Sequence, residues 1–328
     1  MQTLTFSQLR SITLGALTAE ETENGVRFHR LTPAQTQAFR RQAEGLERKC
    51  HACAGIRLDF HTDADTLALS FCGQTMTSTR TWSYFDVLVN GTLLLHSGTE
   101  DVPHHPDGHF QVSLPEGENH VEIYLPTLSS LTLLSVALSD GASLSPHRCA
   151  KRFLVHGDSI TQGYDARCPS LSYINRIARH YDAEVINQAI GSACFDGDVI
   201  ARVTETDPDL ILVSYGSNDW RFRDWDSFCT GAEDFFHRLV EIYPGVPVFD
   251  ILPIWRADLN AGHPCAGDFQ TCRAQIARTA EKYGCVVLDD DYLLPHDTRL
   301  FSDGELHPND EGFFFYAHRL IEFLDKHL

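Results

Sequence analysis

The hydrophobic pattern of this 328-residue chain changes its period near residue 145, and that change limits the folds that the chain can adopt. Before residue 145, apolar and polar residues alternate in short runs, as strands with one buried face require. The runs are Ile56, Leu58 and Phe60; Leu67, Leu69 and Phe71; Phe85, Val87 and Val89; and Val121, Ile123 and Leu125. Asn90-Gly91 is a dipeptide that tight hairpin turns prefer. The pattern predicts an antiparallel β-sandwich, with residues 31–48 as an inserted or edge helix.

A turn-rich segment of small polar residues, 139–146, is typical of a linker between domains. It predicts one domain over residues 1–145 and a second over 146–328. In the second, apolar runs alternate with longer helical stretches, and this βαβ rhythm predicts a parallel sheet. The predicted strands are 152–155, 184–187, 210–214, 246–251 and 286–288. Asn309 can cap a final amphipathic helix.

A serine, Ser159, follows the first of these strands in the run Val155-His156-Gly157-Asp158-Ser159-Ile160-Thr161. A serine hydroxyl becomes a good nucleophile only when a base takes its proton, and His307 is the candidate base. Preorganised donors must also stabilise the negative oxygen of a tetrahedral intermediate. Asn218 offers a side-chain amide for this oxyanion hole. The backbone N–H groups of Ser159 and of Gly191 or Ser192 can complete it, because glycine-rich turns after strands direct amide hydrogens outward.

Four sequence blocks around these residues, in this order, resemble those of the SGNH (GDSL-type) hydrolase superfamily of esterases, lipases, thioesterases and carbohydrate acetylesterases. The blocks are residues 155–161, 187–192, 216–219 and 303–308, and the resemblance covers about residues 150–328. It implies a flavodoxin-like parallel sheet flanked by helices. It also implies that Ser159 is the nucleophile, Asn218 an oxyanion-hole residue and His307 the general base, with no metal or organic cofactor required.

The sequence departs from the family pattern at two places. The family glycine that donates an oxyanion N–H lies five residues after the asparagine of the second block, and here that position is Ser192. The donor is main chain, so a serine can serve. The family aspartate lies three residues before the histidine, whereas Asp303 lies four before His307. Either Asp303 completes a triad from a longer loop, or Glu305 or a backbone carbonyl orients the imidazole of a Ser-His dyad.

Two-domain members of the superfamily carry a jelly-roll-like module before the hydrolase domain. The hypothesis here is that the N-terminal sandwich shapes a cleft for sugar esters, with exposed aromatic residues such as Trp82 or Tyr84 taking part. The alternative is a packing or dimerisation domain.

Three residues near predicted strand ends are candidates for substrate binding: Trp255, Arg256 and Tyr164. An indole can wall an acyl or sugar pocket, and an arginine can bind a carboxylate or a sugar hydroxyl. The alternative is that they cap the core or pair with surface acids.

The net charge of −19 and the pI of about 5.2 argue against nucleic-acid partners and anionic membrane surfaces. No run approaches the roughly 18 apolar residues of a spanning helix, and the first residues do not resemble a signal peptide, so we expect a cytoplasmic protein. The 10 cysteines are then expected to be free thiols. Cys50-His51-Ala52-Cys53 has metal-ligand spacing, but no second pair completes four ligands.

The sequence therefore predicts a serine esterase that hydrolyses short acyl esters of a carbohydrate or another polar alcohol through an acyl-enzyme at Ser159. An acyl thioesterase or an acyltransferase of the same superfamily is an open alternative. A carbohydrate-binding protein with a degenerate hydrolase domain is another. The sequence leaves open whether the chain forms a homo-oligomer.

Overall fold

A computed structural model describes residues 1–260, 264–291 and 293–328. The strands are β1 (Gln2–Thr3), β2 (Thr13–Leu14), β3 (Thr18–Thr22), β4 (Gly25–His29), β5 (Arg57–Thr62), β6 (Thr66–Thr75), β7 (Ser83–Val89), β8 (Thr92–Thr99), β9 (Asp107–Ser113), β10 (Asn119–Tyr124), β11 (Ser129–Leu138), β12 (Ser145–Pro146), β13 (Lys151–Gly157), β14 (Ala183–Asn187), β15 (Leu210–Ser214), β16 (Val248–Ile251) and β17 (Val286–Leu288). The helices are α1 (Phe6–Ser11), α2 (Pro33–Gln42), α3 (Glu44–Cys50), α4 (Ser159–Gln162), α5 (Tyr173–His180), α6 (Ser217–Phe222), α7 (Trp225–Ile242), α8 (Phe269–Lys282) and α9 (Asp310–Leu324).

Two antiparallel sheets make up most of the N-terminal half. One has the strand order β3-β4-β11-β6-β9, with β1 also paired to β11. The other has the order β12-β5-β10-β7-β8, with β2 also paired to β5. Alternate residues of both sheets are buried in one apolar core, which includes Leu69 and Phe71 of β6 and Phe60 of β5. The predicted antiparallel sheets of this half are confirmed.

The strands β7 and β8 are joined by the tight hairpin turn that Asn90-Gly91 predicts. Asn90 and Gly91 both have positive φ, 51° and 78°. A two-residue hairpin loop needs this conformation, because its twist then matches that of the flanking strands.

The third sheet is parallel, with the strand order β14-β13-β15-β16-β17. In the numbering of this half alone the order is 2-1-3-4-5, which is that of flavodoxin-like folds. Helices α7 and α8 cover one face of the sheet, and α5 and α9 cover the other. The predicted parallel sheet flanked by helices is confirmed. All five strands lie within two residues of their predicted bounds.

Residues 31–48, expected to form a single helix, form two, α2 and α3, because Ala43 between them is extended, with φ −163° and ψ 139°. Thr32 caps α2, and Pro33 follows at the first helical position, where its missing N–H costs nothing. The buried residues Ala38, Phe39 and Leu46 belong to the core beneath α7 and α8, not to the sandwich core. The two helices therefore cover the parallel-sheet half.

Arg30, at the entrance to these helices, is fully buried. Its guanidinium donates to the carbonyl oxygens of Ala52, Asn187 and Ala189 at 2.8 Å each, and to that of Lys49 at 3.2 Å. Burial lowers the pKa of Arg30 to about 10, which leaves it charged at neutral pH. One cation therefore joins the end of α3 to the loop that follows β14.

The chain passes from the antiparallel half to the parallel-sheet half between β12 and β13. The strand β12 pairs with β5 of the second antiparallel sheet, and the parallel sheet begins at Lys151. A domain boundary between residues 145 and 146 stays a prediction. Within the described residues, no helix is both long enough and apolar enough to cross a membrane.

Replacing Arg30 with methionine should destabilise the protein strongly, because buried carbonyl oxygens would lose their donors. We expect Arg30→Met to lower the free energy of unfolding by at least about 3 kcal/mol in urea titrations. The matched control is Arg40→Met, whose side chain is 63% exposed and pairs with Glu47; it should cost under about 1 kcal/mol. Equal losses in the free energy of unfolding for the two substitutions would contradict the conclusion that Arg30 joins the end of α3 to the loop after β14.

Candidate active site

Ser159 lies where the strand β13, which is paired on both sides, ends and the short helix α4 begins. Asp158 caps α4, and its Oδ1 accepts the N–H of Ile160 at 3.1 Å. At Gly157 a Cβ atom would lie 2.4 Å from Thr161 Oγ1, so only glycine fits the turn. The turn therefore holds the hydroxyl of Ser159 at the carboxyl edge of the parallel sheet, where α/β folds bind their ligands.

His307 contacts both of its predicted partners. Its Nε2 lies 2.8 Å from Ser159 Oγ, and its Nδ1 lies 2.6 Å from Asp303 Oδ2. A carboxylate only accepts hydrogen bonds, so we assign the imidazole proton to Nδ1. Nε2 is then free to accept the proton of the serine hydroxyl.

The extra residue between Asp303 and His307 is accommodated by a left-handed turn. Gly304 has φ +72°. Asp303 Oδ1 accepts the N–H groups of Glu305, Leu306 and His307 at 3.0, 2.9 and 3.1 Å. One carboxylate oxygen thus fixes the loop, while the other contacts the imidazole.

The Asp303 carboxylate keeps its charge in this position. Burial acts to raise its pKa, but the hydrogen bonds from His307 and from the backbone N–H groups of Leu306 and Glu305 outweigh burial and hold the pKa below its usual range. A negative charge beside Nδ1 stabilises the imidazolium that forms when Nε2 takes a proton.

Asn218 stands in α6, immediately after β15, and lines the same cavity as Ser159. Gly216, with φ +116°, starts this helix. The side-chain nitrogen of Asn218 donates to the carbonyl oxygen of Ala193 at 3.1 Å. A primary amide has two N–H groups, so the second is available to an oxygen in the cavity.

The two main-chain candidates of the second block differ in what their N–H groups do. The N–H of Gly191 donates to Gln162 Oε1 at 2.7 Å and is committed inside the loop. Ser192 lines the cavity and has φ +72°, a conformation that favours glycine. Its backbone therefore matches the glycine that the family has at this position, and Ser192 is the stronger candidate donor.

Two buried acids hold the loops around the site. Burial raises the pKa of Asp158 to about 6 and that of Asp219 to about 7. Asp219 accepts the N–H of Phe195 at 3.1 Å and so fixes the loop that carries Ser192.

The cavity around Ser159 has a volume of about 260 Å³, and both halves of the chain line it. Lys49, at the end of α3, and Thr77, Thr79 and Arg80, from the loop between β6 and β7, contribute from the N-terminal half. No local pattern in the sequence indicates that residues of the first half lie beside Ser159, so these four residues were not among the predicted site residues.

Two of the N-terminal residues are held in place by specific contacts. Lys49 Nζ donates to the carbonyl oxygen of Gly191 at 2.7 Å and to Ser192 Oγ at 3.0 Å. Arg80 forms a bidentate ion pair with Asp165, with N–O distances of 3.0 and 2.9 Å.

The three substrate-binding candidates have different surroundings. Tyr164 lines the cavity, with its ring centroid 5.6 Å from that of His307. Arg256 also lines the cavity and forms an ion pair with Asp258. Trp255 is not among the described residues that line it.

The aromatic residues outside the cavity have other partners. Trp255 stacks on His296 at a ring-centroid distance of 4.7 Å. Trp82 lies under the guanidinium of Arg167 at 4.2 Å, and the hydroxyl of Tyr84 donates to Glu100 at 2.7 Å.

In the described residues, four groups of His, Cys and Asp side chains are close enough together to hold a metal ion, and His61, His120 and His147 form the group that consists of imidazoles alone. One nitrogen from each lies within 4.8 Å of the others. The rings of His61 and His120 stack at an angle of 19°, however, and imidazole binds a metal through a lone pair in the plane of its ring. The group is therefore arranged as a stack of rings and not as converging ligands. Cys50 and Cys53 are buried, and burial raises the pKa of each thiol to about 12.

Comparison with known proteins identifies a family for part of the chain. Residues 155–313 match the GDSL-like Lipase/Acylhydrolase family. No curated protein matches the chain.

Several solved structures have the same fold over nearly the whole chain. The salicylyl-acyltransferase SsfX3 from a tetracycline biosynthetic pathway is 21% identical, with a TM-score of 0.81, covering 96% of this chain and 94% of that one. A putative GDSL-like lipase from Bacteroides ovatus is 18% identical, with a TM-score of 0.74 and coverage of 99% and 97%. The acetyl xylan esterase Est2A from the rumen bacterium Butyrivibrio proteoclasticus is 12% identical, with a TM-score of 0.60 and coverage of 99% and 98%. Both halves of the chain are therefore parts of a recurrent two-domain fold.

Asp303→Asn should distinguish a triad from a dyad. Asparagine keeps an oxygen for the three backbone N–H groups but removes the charge beside His307 Nδ1. We expect kcat for 4-nitrophenyl acetate to fall by about 10³–10⁴-fold. A loss of less than about tenfold, with an unchanged circular dichroism spectrum, would indicate a dyad.

Asn218→Ala should test the oxyanion hole. Removing one donor from such a site typically lowers kcat by about 10²–10³-fold. We expect this loss with a smaller change in KM, because the amide stabilises the transition state more than bound substrate. Arg221→Ala, in the same helix, is the comparison, and a larger loss of kcat there would count against Asn218.

Proposed function

We propose that the GDSL-like lipase/acylhydrolase domain of this chain, residues 155–313, is a serine esterase that hydrolyses short acyl esters of a carbohydrate or another polar alcohol. The observation that carries the proposal is the continuous set of contacts from Ser159 Oγ to His307 at 2.8 Å and from His307 to Asp303 at 2.6 Å, at an open cavity. An imidazole between a hydroxyl and a carboxylate is the arrangement that activates a serine.

In the first step, Ser159 Oγ attacks the acyl carbonyl carbon while its proton passes to His307 Nε2. The carbonyl oxygen becomes negative and accepts hydrogen bonds from the Asn218 side chain and the Ser192 backbone. When this intermediate collapses, the bond to the alcohol breaks and His307 returns the proton to the leaving oxygen. Asp303 holds the imidazole throughout, and the acyl group stays on Ser159.

In the second step, a water molecule repeats the sequence. His307 accepts a proton from the water as its oxygen attacks the acyl carbon, and a second oxyanion forms in the same hole. Collapse then releases the carboxylic acid, and the proton returns to Ser159 Oγ.

The size and composition of the cavity support a small, polar substrate. A volume of about 260 Å³ is below the usual range of drug-sized sites, roughly 300–1,000 Å³. Ten of the thirteen described residues that line it carry a hydroxyl, an amide or a cationic group. Est2A, which shares the fold, is named as an acetyl xylan esterase, and an acetylated carbohydrate fits these dimensions.

An acyltransferase is the second candidate function, because it would form the same acyl-enzyme and differ only in the acceptor. SsfX3, with a TM-score of 0.81, is named as a salicylyl-acyltransferase. An added alcohol distinguishes the two activities. A transferase converts it to a new ester, whereas a hydrolase continues to release the free carboxylic acid. A thioesterase would share the same first step with a thiol as the leaving group. The contact between Ser159 and His307 argues against a degenerate, purely carbohydrate-binding domain.

Turnover of 4-nitrophenyl acetate, butyrate and octanoate tests the proposal. We expect kcat/KM to fall as the acyl chain lengthens, because the cavity is small. We also expect Ser159→Ala to lower kcat by at least about 10³-fold. Ser113→Ala, an exposed serine at the end of β9, should leave turnover unchanged. Octanoate as the best substrate would refute the short-acyl proposal, and full activity in Ser159→Ala would refute the serine mechanism.

A further inference from the structure

The cavity around Ser159 is lined by cations, and no carboxylate lines it in the described part of the chain. Lys49, Arg80, Arg221 and Arg256 line it. In the whole chain, 45 aspartate and glutamate residues outnumber 26 lysine and arginine residues. The positive lining is therefore a local feature that opposes the charge of the molecule.

Lys49 differs from Arg80 and Arg256 in the groups that it contacts. Arg80 is paired with Asp165, and Arg256 is paired with Asp258. In the described residues, the contacts of Lys49 Nζ are with neutral groups: the carbonyl oxygen of Gly191, the hydroxyl of Ser192 and the ring of Tyr164, whose centroid lies 5.8 Å away. Among the described residues, no carboxylate lies within ion-pair distance of it.

A half-buried ammonium group without a counter-charge is unfavourable. Burial, and then the charge of Arg80, lower the pKa of Lys49 to about 8. An anion that entered the cavity would offset this cost. It would also raise the pKa of Lys49, because a nearby negative charge favours the protonated ammonium. The position of Lys49 also matters: its Nζ lies 3.0 Å from Ser192 Oγ, beside the candidate oxyanion donor.

We propose that the ester hydrolysed in this cavity carries an anionic oxygen group, a carboxylate or a phosphate, that binds Lys49. The inference rests on the proposed esterase function and narrows its substrate class. Because Lys49 is adjacent to the oxyanion hole, the anionic group lies within a few bonds of the reacting carbonyl. Lys49 thus determines the preference of the site for anionic esters. It belongs to the N-terminal half, whereas Ser159 and His307 belong to the other half.

Pairs of esters that differ only in charge test this inference. Hydrogen 4-nitrophenyl adipate and its methyl ester place or mask a carboxylate on the acyl part. 3-Acetoxybenzoate and its methyl ester do so on the alcohol part. Phenyl phosphate, as a competitive inhibitor, tests a phosphate. For the wild type at pH 7 and constant ionic strength, we expect kcat/KM to favour the anionic member of at least one pair by about tenfold or more.

The readout for Lys49→Met is the ratio of kcat/KM for the two members of a pair, which should fall by about tenfold. Lys49→Arg should restore most of the ratio. Lys151→Met, at the opposite end of β13 from Ser159, is the matched control and should keep it. Lys49 is protonated below its pKa, so the wild-type ratio should decline as the pH rises through about 8, whereas Lys49→Arg should keep a constant ratio.

The outcomes separate the two proposals. Ester turnover with no preference for the anionic member and no inhibition by phenyl phosphate would overturn the inference and leave the esterase proposal standing. Equal losses for both members in Lys49→Met would also overturn it, because Lys49 would then act on the oxyanion alone. Absence of turnover on every ester would instead refute the esterase proposal.

Discussion

The buried guanidinium of Arg30 is the contact on which the arrangement of the site depends. It binds carbonyl oxygens at the end of α3 and in the loop after β14, so a single planar group sets the distance between Lys49 and the second block. In the described residues, the hydrogen-bond acceptors of its guanidinium are all backbone carbonyl oxygens, and burial makes each of those bonds hard to replace. The N-terminal half is consequently part of the cavity wall.

The parallel sheet supplies the other half of that geometry. In the order β14-β13-β15, the middle strand ends at Gly157, two residues before Ser159. The strands on either side lead into the loop that carries Ser192 and into α6, which carries Asn218. All three strands run in the same direction, so their carboxyl ends bring nucleophile and donors together without any long excursion of the chain. His307 and Asp303 come from the loop before α9, whose packing on the sheet holds the imidazole at Ser159.

Much of this could be predicted from the sequence, because the determining signals are local. Strand period, the glycine turn before Ser159 and the cap before α9 are each contained within a few residues. The role of Asp303 was left open because it lies four residues before His307, where the family aspartate lies three before, and the sequence does not show that a left-handed turn at Gly304 accommodates the extra residue. Lys49 and Arg80 could not be predicted, since they reach the site through contacts between segments far apart in the chain. The division of residues 31–48 into two helices depends on the extended conformation of Ala43, a residue that ordinarily favours helix.

The helices α2 and α3 also set an order of events in folding. With Leu31, their apolar residues belong to a core whose other buried residues lie at position 154 and beyond, and Arg30 reaches carbonyl groups separated from it by 157 and 159 positions. During synthesis the sandwich strands can pair early, while this segment has no surface to pack on until the loop after β14 has emerged. Contacts of such long sequence separation slow folding, because the loop must close before they contribute. A nascent chain therefore exposes Phe39 and Leu46 for the time needed to translate more than a hundred residues, and apolar surface exposed in this way is prone to aggregate.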